Sequence, residues 1–417
     1  MKATKKVLLG FAATVLAVGI AGAGDQRDPR GRFGELDHVF LIVMENQTNT
    51  DILGNPNAPF INKYAPTVNR ATNYFAVGHP SAPNYLEITG GSNFGITGDY
   101  WPVWTNGFGC QDNAPSSGCG NAFTPISIPG VDNPVVATAT TSTDCNGQIS
   151  LGGPPVPNNC ALRNYPASTF TPKSIADQLV EKGLSWKSYQ ESLPGVVPGA
   201  FGINYSDGEW SNLSPAEVFE VNGGAPTPPT SIQKLYAVKH NPFAYFENIE
   251  NGGYAALSLE RVVDFDGPNG LWADLNSDRA PNFSFIVPNQ CHDMHGFVSG
   301  GTAICSTSNT LGTNLTIQQG DAEVAKLING IKASKSWKQG RNAIVLVWDE
   351  NDYSNAANRV VFLVEPNYAA NRAVSSVPYD HFSLLRTLEA GFGLRCLNHA
   401  CDATSLVMDD LFGGVGN

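Results

Sequence analysis

The sequence predicts an α/β sandwich on a mainly parallel central sheet, with long loop excursions on its surface. Three observations carry the prediction. Short, wholly apolar runs suit strands buried on both faces, amphipathic helical stretches separate them, and polar clusters close their carboxyl ends. With 417 residues the chain can bury a large core, and one domain over 24–417 is the expectation.

The elements follow in order. Lys2, Lys5 and Lys6 precede the apolar run Val7 to Ile20, and Ala21-Gly22-Ala23 has the small-x-small form of a cleavage site. Residues 1–23 therefore read as a secretory signal peptide, too short and wrongly flanked for a stable membrane anchor, which implies a secreted or periplasmic protein. Asp25 to Leu36 is polar and reads as a loose mature N-terminus. The first buried strand is Val39 to Met44, closed by Glu45-Asn46. A helix can start inside "HPSAPNYLEITGG" (His79 to Gly91), and another lies in "TPKSIADQLVEKG", with Pro172 before it and Gly183 as its stop. Phe283 to Asn289, Ala343 to Trp348 and Val360 to Val364 repeat the buried-strand pattern; "GDAEVAKLINGIKAS" and "HFSLLRTLEAGFG" are helical.

Two segments depart from this plan. Residues 102–168 are rich in Gly, Pro, Asn, Ser and Thr and hold four cysteines, while 193–232 are Gly/Pro-rich without cysteine. Both read as surface excursions. The eight cysteines form no CxxC pattern, so disulfides in an oxidising compartment are the better reading. Cys110 with Cys119, Cys145 with Cys160, Cys291 with Cys305 and Cys396 with Cys401 are near neighbours, but spacing leaves connectivity open.

A net charge of −12 argues against a nucleic-acid partner, which needs a basic face. An anionic substrate would need a local positive centre, and a bound metal is the obvious candidate.

In an open α/β sheet the ligand crevice lies beyond the carboxyl ends of the strands. Glu45-Asn46 closes one buried strand, Asn289 with His292, Asp293 and His295 a second, and Asp349-Glu350-Asn351-Asp352 a third. Each alone is weak, because a carboxylate after a strand is most often a cap or a turn residue. His381 begins a helix after another apolar strand. Asp, Glu, Asn and His without thiolate form a hard to borderline ligand set, suited to one or two divalent ions of Mg, Mn, Ca or Zn. Ser81 stands between Pro80 and Pro83, next to His79. It reads as a helix N-cap, or as a hydroxyl aimed outward where a helix N-terminus and a metal both stabilise an alkoxide; the two readings are compatible.

Quoted together, "VMENQTNTDILGNPNAPFINKYA", "ATNYFAVGHPSAPNYLEITGG", "VKHNPFAYF", "FIVPNQCHDMHG", "LVWDEND" and "DHFSLLRTLEAGFGL" resemble the bacterial phosphoesterase family of secreted acid phosphatases and phospholipase C enzymes, a branch of the alkaline-phosphatase superfamily. The resemblance runs in order from about Leu36 to Leu394. It implies an alkaline-phosphatase-like three-layer sandwich and an in-line displacement at phosphorus through a phosphoserine. Ser81-Ala82-Pro83-Asn84 is similar to a superfamily nucleophile motif, which makes Ser81 the expected nucleophile and Asn84 a donor to a phosphate oxygen. Glu45, Asn46, Asp349 and Glu350 fall at metal-ligand positions. Asn289 and Asp293 have the spacing of a second metal's Asp and His, and His381 resembles the last metal-binding His. Asn at 289 and Asp at 293 depart from that pattern, so a single metal with His79, His292 and His295 supporting the phosphate is equally consistent. His240-Asn241-Pro242 reads as a structural element near the pocket. Histidines charged in mild acid would protonate the leaving alkoxide and give an acid optimum.

The expected partner is a phosphorylated small molecule or lipid head group, with no nucleic acid, and oligomeric state is left open. Phospholipase C-type diester hydrolysis uses the same machinery and is the alternative. A sulfatase is disfavoured because "SAPNY" lacks the final Arg of C/S-x-P-x-R, and a non-catalytic module for phosphate ligands is disfavoured by the retained nucleophile and ligand candidates.

Overall fold

The structure, a computed structural model, describes residues 33–94, 173–193, 235–250, 255–299, 302–305, 312–354, 356–370 and 372–413. The expected leader and nearly all of both excursions lie outside the described residues, with Cys110, Cys119, Cys145 and Cys160.

The sheet is built around β1 (His38–Met44), buried from Val39 onward. It pairs in parallel with β9 (Asn342–Trp348) on one side and β6 (Phe283–Val287) on the other. The parallel part continues through β4 (Trp186–Gln190) to β5 (Val262–Val263). Beyond β9 the sheet changes sense. β10 (Phe362–Pro366) is antiparallel to β9, β2 (Asn69–Ala71) is antiparallel to β10, and β11 (Val374–Ser375) is parallel to β2. The eight-stranded order is β11-β2-β10-β9-β1-β6-β4-β5. Two small pairs stand apart: β3 (Tyr74–Phe75) with β12 (Tyr379–Asp380), and β7 (Phe297–Ser299) with β8 (Thr302–Cys305).

The apolar runs in the sequence thus mark β1, β6, β9 and β10, but burial alone cannot give direction. β10 follows β9 after a connection with no helix among its described residues, and a parallel return needs a longer crossover. β4 was absent from the sequence reading because Lys187, Ser188 and Gln190 interrupt its apolar character. Its polar groups are partnered instead: Lys187 pairs with Asp274, and Tyr189 donates to Asp274 Oδ2 at 2.8 Å.

The helices are α1 (Asn49–Ile52), α2 (Pro59–Tyr64), α3 (Ser81–Gly90), α4 (Ile175–Glu181), α5 (Glu247–Glu250), α6 (Leu271–Asn276), α7 (Gly312–Ala333), α8 (Lys335–Lys338) and α9 (His381–Gly391). α9 packs on α3, and α4 on α3 and β4; α2, α6 and α8 pack on α7. α3 is buried on every side, so it shows no amphipathic split, and its polar residues Ser81, Asn84, Glu87 and Thr89 are buried with the apolar ones. α4 starts with a Ser174/Asp177 capping box. α2 is capped from another helix, since Asp321 of α7 accepts from Phe60 N at 2.9 Å and Ile61 N at 2.8 Å. Cys396 and Cys401, neighbours in sequence, are disulfide-bonded. No helix among the described residues is long and apolar enough to cross a membrane.

Candidate active site

The β1/β9 register pairs Met44 with Trp348, so the next residues, Glu45 and Asp349, leave adjacent strand ends side by side. The ladder runs on for one more step: Asp349 N donates to Met44 O at 2.9 Å and Glu45 N to Asp293 O at 2.8 Å. Asn46 then turns the chain with φ 44°, a left-handed conformation that Asn tolerates, and its N–H donates to Asp349 Oδ1 at 3.3 Å. Three strand ends thereby bring Glu45, Asp293, Asp349 and Glu350 together, each with 0% exposure.

Ser81 meets this cluster at the start of α3. Pro80 holds the N-cap position, so Ser81 is the first helical residue and not the cap. Its Oγ lies 3.0 Å from Glu45 Oε2 and 3.2 Å from Glu350 Oε1, donating to one or the other. The first-turn N–H groups of α3 favour negative charge at this point. His79 Nδ1 hydrogen-bonds Glu350 Oε2, and the ring stacks on Tyr353 at 4.0 Å.

His240, read as a peripheral structural element, sits inside the cluster. Its Nε2 is 3.1 Å from Glu45 Oε1 and its Nδ1 3.5 Å from Asp293 Oδ2. Tyr85, one turn after Ser81, stacks on the His240 ring at 5.2 Å. Lys239, also buried, approaches His295 with Nζ 3.4 Å from Nε2. Lys239, Tyr85 and Tyr353 were not singled out from sequence. Their signal was position alone, beside His240, after Ser81 and beyond Asp352.

Other expected participants are engaged elsewhere. Asn84 Oδ1 accepts from Val77 N (3.1 Å) and Gly78 N (3.0 Å), and its Nδ2 donates to Gly78 O (3.0 Å) and Pro80 O (3.1 Å). An amide offers two donor hydrogens and two acceptor lone pairs, so Asn84 clamps the loop into Ser81 and has nothing left for a phosphate oxygen. Asn289 is used in the same way, with Oδ1 accepting from Cys291 N and His292 N and Nδ2 donating to Ser192 Oγ. Both ring nitrogens of His381 are occupied, Nδ1 by Tyr74 OH at 2.9 Å and Nε2 by the Asp349 carbonyl at 2.5 Å. It therefore buttresses the Asp349 backbone rather than facing a metal. His292 turns away from Asp293 to Glu191, 2.8 Å from its Oε1. His295 stays near the cluster, its N–H donating to Asp293 Oδ1 at 2.7 Å and its ring 5.9 Å from that of His240.

The electrostatics separate these groups. Burial, followed by the charge of Glu45, pushes Asp293 and Asp349 well above the usual carboxylate range, and Glu350 adds to the effect at Asp349. Burial lowers His79 to about 4 despite the nearby charge of Asp352. It also lowers His240, helped by Lys239 and His295. Burial thus disfavours a charged ring at His79, one of the three histidines expected to carry charge at the phosphate. His292 alone among these rings is raised, to about 9: burial opposes its charge, but Glu191 outweighs it.

Buried carboxylates at this density fit a divalent cation. Asn46 Oδ1, Asp293 Oδ2 and Asp349 Oδ2 are buried oxygens without a hydrogen-bond partner, and the donor set is oxygen-rich, as hard cations require.

Residues 53–395 match the model of the Phosphoesterase family, and the chain belongs to that family. It is thus a hydrolase of phosphoric esters. The chain is 24% identical over 382 residues to a phosphatidylinositol-3-phosphatase of Mycobacterium tuberculosis, covering 90% of this chain and 83% of the relative. It is 22% identical over 371 residues to a probable acid phosphatase of Kluyveromyces lactis, covering 88% of this chain but 61% of the relative. A solved protein in the alkaline phosphatase superfamily from Vibrio parahaemolyticus superposes with a TM-score of 0.41 at 12% identity, over 92% of this chain and 70% of that one.

Proposed function

We propose that the chain is a secreted or periplasmic, metal-dependent phosphatase that hydrolyses phosphate monoesters in mild acid through a phosphoserine at Ser81. The observation that carries this reading is the Ser81 hydroxyl at the N-terminus of α3, within hydrogen-bond reach of both Glu45 and Glu350.

Ser81 Oγ attacks phosphorus in line with the leaving oxygen, giving its proton to Glu45 or Glu350. The P–O bond to the leaving group breaks as the Ser81 O–P bond forms, and the leaving alkoxide takes a proton from solvent water to depart as the alcohol. Water then attacks phosphorus, releasing phosphate and restoring the hydroxyl. The first-turn N–H groups of α3 bear the phosphoryl charge, while Asn84 fixes the loop that aims the hydroxyl. Glu45, Asn46, Asp293, Asp349 and Glu350 would hold the divalent ion. When bound, it neutralises developing charge and lowers the pKa of the hydroxyl.

Relatives named acid phosphatase and phosphatidylinositol-3-phosphatase support a monoester substrate, a phosphoinositide head group included. The test is nitrophenyl phosphate hydrolysis by the mature protein, with and without chelator, beside Ser81→Ala. Turnover lost in both supports the reading; turnover retained by Ser81→Ala removes the nucleophile. Faster hydrolysis of a lipid diester than of the monoester would redirect the assignment to a phospholipase C.

A further inference from the structure

We propose that Glu191, His292 and Glu323 form a second cation centre, distinct from the Ser81 cluster and suited to one zinc- or manganese-type ion. The three come from separate elements: Glu191 directly follows β4, His292 lies in the loop after β6, and Glu323 is on α7. One ligand atom from each lies within 4.8 Å of the others. Across one tetrahedral zinc ion, ligand atoms at about 2.1 Å are roughly 3.4 Å apart, so closure needs shifts of no more than about 1.4 Å.

One feature points to a ligand, and a second shows how the cluster is brought together. Glu323 is 5% exposed, and its Oε1 is a buried oxygen with no hydrogen-bond partner, while Oε2 accepts from Lys326 Nζ at 3.3 Å. The helix is also brought in unusually close. A Cβ on Gly320 would lie 2.3 Å from Met294 Cγ and 3.0 Å from His292 O, so only glycine lets α7 rest on this loop and present Glu323, one turn later, to His292.

The donor set of one imidazole and two carboxylates leaves room for water or an outside group, as in three-ligand sites. Both carboxylate oxygens of Glu191 now lie near His292 Nδ1, at 2.8 and 2.9 Å, and the ion would take their shared place. Lys326 is a displaceable cation. Its side chain is 55% exposed, and its ammonium already lies 5.0 Å over the Trp272 ring, where it can stay after releasing Glu323. Occupancy would tie β4, α7 and the loop carrying Asp293 and His295 into one unit.

The test is Zn²⁺ titration of the full mature chain by calorimetry, in wild type, Asp349→Asn, Glu323→Gln and Lys326→Met. The class of site weakened by Asp349→Asn belongs to the Ser81 cluster. A separate class is expected to weaken at least about tenfold in Glu323→Gln and to tighten in Lys326→Met. Wild-type isotherms in both variants overturn the proposal. If Glu323→Gln does not fold by circular dichroism, the exposed Lys326→Met decides: an unchanged isotherm overturns the second centre. The readout is independent of turnover, so failure of the phosphatase reading leaves it standing.

Discussion

Adjacent residues of one loop serve two opposite electrostatic designs. Asp293 faces the Ser81 cluster, where Glu45, Asp349 and Glu350 are also fully buried and burial keeps His79 and His240 neutral. His292 faces Glu191 and Glu323, where the charges nearly balance. Burial works to raise Glu191, but the charge and hydrogen bond of His292 hold it below its ordinary value. Burial and Glu191 raise Glu323 to about 7, with His292 and Lys326 opposing. Without an ion, His292 and Lys326 offset much of the second cluster's charge, while the first relies on raised carboxyls at Asp293 and Asp349. Buried carboxylates at the density of the first cluster fit an outside positive charge, which is the reading proposed for the Ser81 site.

The contrast is broken most directly at Asp349. Asp349→Asn is expected to lower turnover about 10²- to 10³-fold while raising the melting temperature of the chelated protein, because Asn is neutral without having to take up a proton, as the raised Asp349 must. A lower melting temperature in chelator would mean that the chain does compensate this cluster internally. Glu191→Gln should behave in the opposite way. Leaving His292 without its carboxylate is expected to cost about 3 kcal/mol in urea unfolding, with turnover within about tenfold of wild type. Equal stability would remove the balanced second cluster from the comparison.

Asp264 sharpens the boundary of that cluster. Burial raises it to about 7, two backbone N–H bonds oppose this, and Glu191 adds to the rise. The protonated folded form is therefore favoured: the stabilisation is complete below the unfolded value near 3.8 and is lost as pH rises to about 7. Unfolding free energy measured across that window should fall with pH in wild type and fall less in Asp264→Asn. Equal slopes would exclude Asp264 as the source. The smallest effect is expected at Tyr353, 60% exposed and stacked on His79. Tyr353→Ala should raise KM a few-fold, the equivalent of about 1 kcal/mol, with kcat little changed. A loss confined to kcat would instead assign the ring to positioning His79 during the reaction.

Much of the first cluster was legible because it sits at strand ends. Apolar runs mark β1, β6 and β9, and the polar residues that stop them must emerge at one edge of the sheet. Ser81 was legible from the prolines and the helix start. His240 was not, because its neighbours Asn241 and Pro242 read equally well as turn residues, and its contact with Glu45 is made across 195 positions of sequence. The hydrogen-bond partners of Asn84, Asn289 and His381 were not legible for a related reason. A polar side chain can satisfy its own backbone or face a ligand, and residue type does not choose between them.

By itself the sequence determined the α/β class, the strands, the acidic strand ends, the serine at a helix start and the family. All of these rest on local polarity patterns or ordered motifs, which survive without coordinates. Only the tertiary structure decided the sense of β10, the inward place of His240 and the opposite facing of His292 and Asp293. It also decided the meeting of His292 with Glu191, 101 residues away, and with Glu323 across α7. Such meetings depend on loop dihedrals and on which helix face reaches the sheet edge. One-dimensional spacing carries neither.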